Sequence, residues 1–375
     1  MELNKTDYKR LGDYIREVDV RNRDLKVTKL LGVSISKEFI PSIANTIGTD
    51  MSTYKIVTPN QFAYGPVTSR NGDKVSIALL SGNDMAIISQ AYTVFKVIDD
   101  NKLLPEYLMM WFRRPEFDRY ARFHSHGSAR EIFDWDEMCD VILPIPTIER
   151  QREIVSEYET LSRRIDLNNK MISRLEETAQ TLYHKMFVDG IDKENLPDGW
   201  RMGTLGEIAF ITMGQSPDSK SFNDIGNGKI FYQGRTDFGI RFPNPRIYTT
   251  EPTRMAKSGD ILLSVRAPVG DLNITPFDCC IGRGIASIKS KIRCNHFMFY
   301  LLQNKKSDFN TSNDEGTIFG SITKDDLFSL KIIIPPNNYL IKFDKLAKII
   351  DSHIKYRDKG INILINLSSL LLSKL

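Results

Sequence analysis

Residues 149–187 read ERQREIVSEYETLSRRIDLNNKMISRLEETAQTLYHKMF. From Ile154 the positions Tyr158, Leu161, Ile165, Asn168, Ile172, Leu175, Ala179, Leu182 and Met186 follow in steps that alternate four and three. That is the spacing of a heptad seam on one helix face, with Asn168 its polar member. Moving each position by 189 residues gives Phe343, Ala347, Ile350, Ile354, Arg357, Ile361, Leu364, Ser368, Leu371 and Leu375. No gap is needed, and the polar break at Asn168 falls on Arg357. The chain is a tandem duplication.

The copy continues upstream of the helix. At the same offset Gly127 meets Gly316, Phe133 meets Ile322, Met138 meets Leu327, and Pro146 meets Pro335. Each half therefore ends as an apolar strand, a proline break and a long helix. Nearer the N-terminus the match fades, although Leu11-Gly12-Asp13-Tyr14-Ile15 resembles Leu205-Gly206-Glu207-Ile208-Ala209 at an offset of 194. The halves share a frame and differ in filling.

The 375 residues suit two domains, each large enough for its own core. A net charge of +4 and a pI near 8.7 permit a nucleic-acid or acidic partner without demanding one. Cys139, Cys279, Cys280 and Cys294 form no C-x-x-C pair and read as reduced thiols of a cytoplasmic protein. The start lacks the apolar core of a signal peptide, and no run reaches the ~18 apolar residues of a membrane span.

In the first half, Ser69-Arg70-Asn71-Gly72-Asp73 carries the Asn-Gly of a tight turn. Ala78–Leu80 and Ala86–Ile88 read as strands, and Pro105–Phe112 as a short helix with proline in its first turn. Arg122–Arg130 is basic, polar and without periodicity, as a surface loop is. Residues 188–204 form a linker with helix-ending glycine and proline. The second half is richer in glycine and proline, with a strand-like Gly259–Arg266. A helix of some 33 residues is roughly 50 Å long, so a short linker followed by a compact domain brings the second helix back antiparallel to the first.

Catalytic readings are weak. His124 and His126 with Asp134 match no metal-ligand spacing, Gly282-Arg283-Gly284 lacks the flanks of a phosphate loop, and Ile334-Pro335-Pro336-Asn337 lacks the polar residue that an Asn-Pro-Pro-Tyr methyltransferase element places before its prolines. No catalytic residue and no metal ligand is assigned. Asn168 and Arg357 read as setting helix-pair register. The candidates for phosphate or base-edge contact are Ser69, Arg70, Asn71, Arg122, His124, Ser125 and Arg130 in the first domain, and Gln215, Ser216, Lys220, Arg235, Arg241, Arg266 and Arg283 in the second. These types reach phosphates and base edges, arginine suiting guanine and asparagine or glutamine suiting adenine.

Leu196-Pro197-Asp198-Gly199-Trp200, Leu205-Gly206-Glu207-Ile208 and Gly214-Gln215-Ser216-Pro217 resemble the opening of a recognition domain in specificity subunits of type I restriction–modification enzymes. Gly259–Gly270 resembles a second stretch of those domains, and Pro144-Ile145-Pro146 with Gln151 and Ile154 resembles the family's approach to its spacer helix. The first half lacks the Leu-Pro-x-Gly-Trp opening, Arg150-Gln151 stands where Glu-Gln is usual, and Leu340 replaces that glutamine in the second half.

The resemblance implies an α+β (mixed α/β) fold with two target-recognition domains in a pseudo-twofold tandem repeat, separated by two long antiparallel coiled-coil helices. The expected boundaries are 1–149 and 190–336 for the recognition domains and 150–189 and 337–375 for the spacer helices. It implies a non-catalytic subunit that reads a bipartite, asymmetric double-stranded DNA target. Two adenine methyltransferase subunits and a restriction/translocase subunit are the implied partners, and S-adenosylmethionine, ATP and Mg are expected on them, with no cofactor on this chain. An enzyme with its own methyltransferase or nuclease site, and a coiled-coil scaffold that does not read DNA, are the competing readings.

Overall fold

The computed structural model describes residues 8–43, 48–69, 71–72, 74–127, 130–309 and 321–375. The chain divides into two compact units: residues 1–166 with 362–375, and residues 167–361. The helices are α1 (Pro105–Phe112), α2 (Pro115–Phe123), α3 (Trp135–Cys139), α4 (Ile148–Phe187), α5 (Leu205–Ile208), α6 (Asn295–Asn304), α7 (Lys324–Ser329) and α8 (Asn337–Ser373).

The duplication is visible as a repeated strand register. In the first unit Tyr8–Arg10 runs antiparallel to Ile142–Pro144, with Arg10 opposite Ile142, and Leu11 N–H donates to the Val141 carbonyl at 2.8 Å. In the second, Arg201–Thr204 runs antiparallel to Lys331–Ile334, with Thr204 opposite Lys331, and Leu205 N–H donates to the Leu330 carbonyl at 2.9 Å. The two sequence offsets, 194 and 189, thus converge on one pairing. The glycine that follows is required in both copies. A Cβ on Gly12 would lie 2.8 Å from Cys139 Cβ, and one on Gly206 would lie 2.6 Å from Phe328 Cδ1. Cys139 and Phe328 are themselves equivalent, so the same close approach of chain to helix recurs. The next helix is capped alike: Asp134 Oδ1 accepts from Glu137 N at 2.9 Å, and Thr323 Oγ1 accepts from Asp326 N at 3.2 Å. Such caps contribute about 1 kcal/mol each.

Each unit also contains one four-stranded antiparallel sheet of identical order. In the first unit the neighbours are Ile15–Glu17, Thr93–Val97, Gln61–Tyr64 and Ile77–Leu79. In the second they are Ala209–Met213, Ile285–Ser290, Ile261–Ser264 and Leu272–Ile274. Alternate residues of these strands, such as Phe62 and Phe95 or Ile261 and Ile288, form the core with α1 or α6. The units differ in what is inserted between the strands. The first has two small two-stranded antiparallel sheets, Leu31–Val33 with Phe39–Pro41 and Lys55–Val57 with Ala86–Ile88. The second has a five-stranded mixed sheet in the order Phe222–Asn223, Ile247–Thr249, Lys229–Tyr232, Cys279–Ile281, Met255–Ala256.

All twenty seam positions, nineteen on α4 and α8 and Leu375 just beyond α8, are buried or half-buried. Inside the second unit Ala179, Tyr183 and Phe187 of α4 share a core with Phe343 and Ala347 of α8, while Asn168 lies against Arg357. Advancing along α4 therefore means retreating along α8, and the segments are antiparallel. In the first unit Ile154 and Val155 pack with Leu375 in the same sense. The start of α4 is fixed by Gln151, which is fully buried. Its Oε1 accepts from Leu104 N at 2.8 Å, and its Nε2 donates to the carbonyls of Lys102 at 2.9 Å and Pro146 at 2.8 Å. At the equivalent place on α8, Leu340 joins the apolar core instead. One polar anchor has been exchanged for hydrophobic burial without loss of the helix.

Candidate nucleic-acid interface

In the first unit the predicted residues gather on two adjoining segments. Thr68 N–H donates to the Glu131 carbonyl at 3.0 Å, Thr68 Oγ1 donates to Ser125 Oγ at 2.9 Å, and Val67 bridges Ile132. Ser69, Asn71, Arg122, His124, Ser125 and Arg130 are thereby brought to one region. Ser69 and Arg130 are exposed, and Arg130 and Asn71 line a cavity of about 260 Å³ with Tyr92 and Ser76. Arg130 has no ion-pair partner among the described residues. Arg70 and Gly316 lie outside the described residues.

Several side chains here are already engaged. The stretch expected as a loop begins inside α2, which carries Arg122 and ends at Phe123; Arg122 there pairs with Glu131. Proline at the start of α2 and an apolar pair, Phe117 and Ala121, on its buried face supply a helical pattern that the basic character of the stretch obscures. His124 Nδ1 lies 2.9 Å from Glu137 and its ring stacks on Tyr120 at 4.2 Å. His126 Nε2 also faces Glu137, at 3.5 Å, whereas Asp134 caps α3. No group of three or more His, Cys, Asp or Glu side chains able to hold a metal occurs among the described residues.

In the second unit Gln215, Ser216 and Arg283 meet. Gln215 N–H donates to the Ile281 carbonyl at 2.9 Å, and Ser216 Oγ accepts from Arg283 N at 3.3 Å. Gly282 and Gly284 let this turn lie against Gln233, whose carbonyl would stand 3.0 Å and 2.9 Å from added Cβ atoms. Gln215, Arg283 and Lys220 are exposed. Arg266 is exposed as well, just beyond the strand Ile261–Ser264, and its backbone bridges Ser321. Arg254 was not among the candidates, yet it is exposed and its carbonyl accepts from Ile281 N at 2.9 Å, beside Gln215. The strand Cys279–Ile281 and the Thr253 hydroxyl, which donates to the Gln215 carbonyl, join these segments, and nothing in the local sequence around Arg254 signals it.

Arg235 and Arg241 behave differently. Arg235 pairs with Asp271, which also takes Lys306 at 2.5 Å. Burial alone would raise the Asp271 carboxyl, but the hydrogen bonds from Lys306 and Arg235 outweigh it and hold the carboxyl below its ordinary value. Arg241 is a correction to the candidate set. It is 1% exposed and cannot reach DNA. Its Nη2 donates to Tyr300 Oη at 3.0 Å, its Nε donates to Glu176 at 3.3 Å, and Asp351 lies 3.6 Å from Nη1. The guanidinium also sits 4.0 Å from the Phe299 ring centroid. Burial disfavours its charge, while Asp351, Tyr300 and Glu176 restore it. A buried cation so paired is costly to disrupt, about 3–5 kcal/mol when one partner is removed.

The four cysteines are free thiols, and burial pushes Cys279 up to about 12 and Cys294 up to about 11. No helix among the described residues is long and apolar enough to cross a membrane. The exposed arginine, glutamine and serine side chains, with the half-buried Asn71 and Ser216, carry donors and acceptors of the kinds that bind phosphates and base edges.

The model for the type I restriction modification DNA specificity domain matches this chain twice, over residues 18–177 and 197–366. The two matches end 189 residues apart, the same offset as the helix seam. A relative named as the type I restriction enzyme MjaX specificity subunit of Methanocaldococcus jannaschii is 34% identical over 273 residues, covering 69% of this chain and 64% of the relative. This chain thus spans just under two thirds of that relative's length. The MjaIX specificity subunit of the same organism is 24% identical over 74% of this chain and 70% of its own. Among solved structures, the type I restriction-modification system S subunit from M. genitalium superposes with a TM-score of 0.61 at 15% identity, over 100% of this chain and 97% of that one, a likeness of fold. The doubled register, doubled sheet and doubled helix are the two copies of that domain, and the chain belongs to the family of type I restriction–modification DNA specificity subunits.

Proposed function

We propose that the chain is the DNA-reading, non-catalytic subunit of a type I restriction–modification system and recognises a bipartite, asymmetric double-stranded target. One observation carries this reading: two DNA specificity domains retain the same strand register and helix frame while their exposed insertions differ. Different loops on one frame suit two different half-sites, and the helix pair then sets the number of unread base pairs between them. Ser69, Asn71 and Arg130 are the groups offered by the first domain, with Arg70 beside them in sequence. Gln215, Ser216, Lys220, Arg254, Arg266 and Arg283 are those offered by the second.

Adenine methyltransferase subunits dock on the long helices, and a restriction/translocase subunit joins that cytoplasmic assembly. Residues of α8 that the internal seam does not use support the docking. Leu346, Ile349 and Tyr356 in one unit, and Ile363, Leu367 and Leu370 in the other, are exposed at spacings of three, four or seven. Exposed apolar stripes of this kind mark protein contacts. S-adenosylmethionine, ATP and Mg belong to the partners. Selection of bound oligonucleotides by the chain assembled with its methyltransferase tests the reading. Recovery of two fixed half-sites around an unread spacer is expected, and recovery of random sequence would overturn it. Methyl transfer by the isolated chain would instead favour an enzyme.

A further inference from the structure

Arg241 lies at the tip of a tight turn in the second unit. Gly239 N–H donates to the Phe242 carbonyl at 3.2 Å, Phe238 bridges Pro243, and Asn273 clamps Gly239 through Oδ1 at 3.0 Å and Nδ2 at 3.1 Å. The turn therefore moves with the strand Leu272–Ile274 of the central sheet. Its tip reaches three helices at once: Glu176 on α4, Asp351 on α8, and Phe299 with Tyr300 on α6. Asp351 itself accepts from Tyr300 Oη at 3.0 Å and meets His296 Nδ1 at 2.6 Å. Asp344, two turns earlier on α8, accepts from the N–H groups of His296 and Phe297 at the start of α6.

This tie is not part of the duplicated frame. The positions equivalent to Asp344, Asp351 and Glu176 are Val155, Ser162 and Ile365, none of them acidic. The first unit buries a different cation, Lys37, and fastens it to Asp118 and the Phe112 carbonyl within its own domain. There, Val155 and Ser162 of α4 border an open cavity of about 700 Å³ with Met109, Met110 and Arg113. The second copy thus carries carboxylates on both long helices and an arginine that pairs with them, where the first copy has none at the equivalent helix positions.

We propose that Arg241 is a positioning residue for DNA recognition. By joining the sheet-borne turn to both α4 and α8, it fixes the orientation in which the second recognition domain sits on its own helix segments. It thereby fixes the spacing at which the second half-site is read. The inference rests on the DNA-reading function proposed for the chain. A base-contact role is excluded by burial, so its effect falls on spacing and not on base identity.

The test selects oligonucleotides with the full chain in its methyltransferase complex, using libraries of fixed half-sites and varied spacer. Failure of the wild type to select any bipartite site would overturn the DNA-reading function itself. Given wild-type selection, Arg241→Met is expected to lose the preference for one spacing over those one base pair longer or shorter, with both half-sites unchanged. Unchanged spacing preference, or altered bases at the second half-site with spacing retained, would overturn the proposal. Should Arg241→Met fail to fold, Arg241→Met with Glu176→Gln and Asp351→Asn removes the buried charges together, and the same outcomes decide. Arg241→Lys keeps the charge but not the three-pronged geometry, and is expected to recover part of the spacing preference.

Discussion

Arg357 Nη1 donates to Asn168 Oδ1 at 2.9 Å, and the two residues are the duplicated copies of one position, 189 apart. Both residues lie in the second unit, and their contact ties α4 to α8 there. It is also the polar break in both seams, so a slipped register would leave each group facing leucine or isoleucine. Arg357 Nε is buried without a hydrogen-bond partner, which makes the remaining bond to Asn168 matter more. Replacing Asn168 by Leu is expected to destabilise the chain by about 1–3 kcal/mol, because a buried donor loses its acceptor. Asn168→Leu with Arg357→Leu should recover most of that, giving a coupling of roughly 0.5–3 kcal/mol in a urea-unfolding cycle. Additive losses would mean that the pair does not interact energetically.

Lys37 supplies a pH-dependent prediction. Burial lowers its ammonium below the ordinary 10.5, and the hydrogen bond and charge of Asp118 offset only part of that. The folded chain then releases this proton at a lower pH than the unfolded chain does. Stability from this group rises as pH climbs through the depressed folded value and is complete above 10.5. The unfolding free energy of wild type minus that of Lys37→Met should therefore increase as pH climbs towards the ordinary lysine value of 10.5. A flat difference would show that Lys37 keeps an unshifted charge in the fold, and a falling one that the fold holds its proton more tightly.

Exposed, unpaired arginines should matter at one half-site each. Arg130 and Arg283 belong to different units and have no ion-pair partner among the described residues. Alanine at either is expected to weaken binding by about 1–3 kcal/mol and to relax preference within a single half-site. Arg235→Ala is a useful contrast, since Arg235 is held by Asp271 and should change less. Equal weakening at both half-sites by either of the first two substitutions would assign them to general phosphate attraction.

The long helices were legible because a heptad seam repeats one simple requirement, burial every third or fourth residue, and every one of its positions is covered. Pro105–Phe112 was legible for a similar reason: a first-turn proline ahead of a solid apolar run. The common sheet was much less so, since its strands lie as far apart in sequence as Ile15 and Val97, which pair. Arg241 was misread because an arginine among Phe242-Pro243-Asn244-Pro245 has the composition of a surface loop. Its counter-charges come from residues 176 and 351, each of which reads alone as a solvated helix acid. Burial of a charge is a property of the assembled pair, and local sequence carries no trace of it.

The helices themselves are testable as a ruler. A seven-residue insertion in α4 between Asn168 and Glu176, matched by one in α8 between Asp351 and Arg357, places the new turns opposite each other and leaves the Arg241 cluster whole, because these segments already pack antiparallel. The alternation of four and three is kept, so the apolar face stays in register. Each insertion adds about 10.5 Å of rise, close to three base pairs at about 3.4 Å each. If the helix pair sets the gap between half-sites, the selected spacer should lengthen by about three base pairs while the half-site sequences stay as they were. A four-residue insertion is a sharper control. It rotates the seam by a partial turn, which takes the inserted side of Asn168 and Arg357 out of phase and exposes leucines, so it should lower stability and blur spacing together. An unchanged spacer after the heptad insertion, with folding intact, would remove the helices as the determinant of distance. Equal behaviour of the seven- and four-residue insertions would remove the heptad seam as the reason the helices pair.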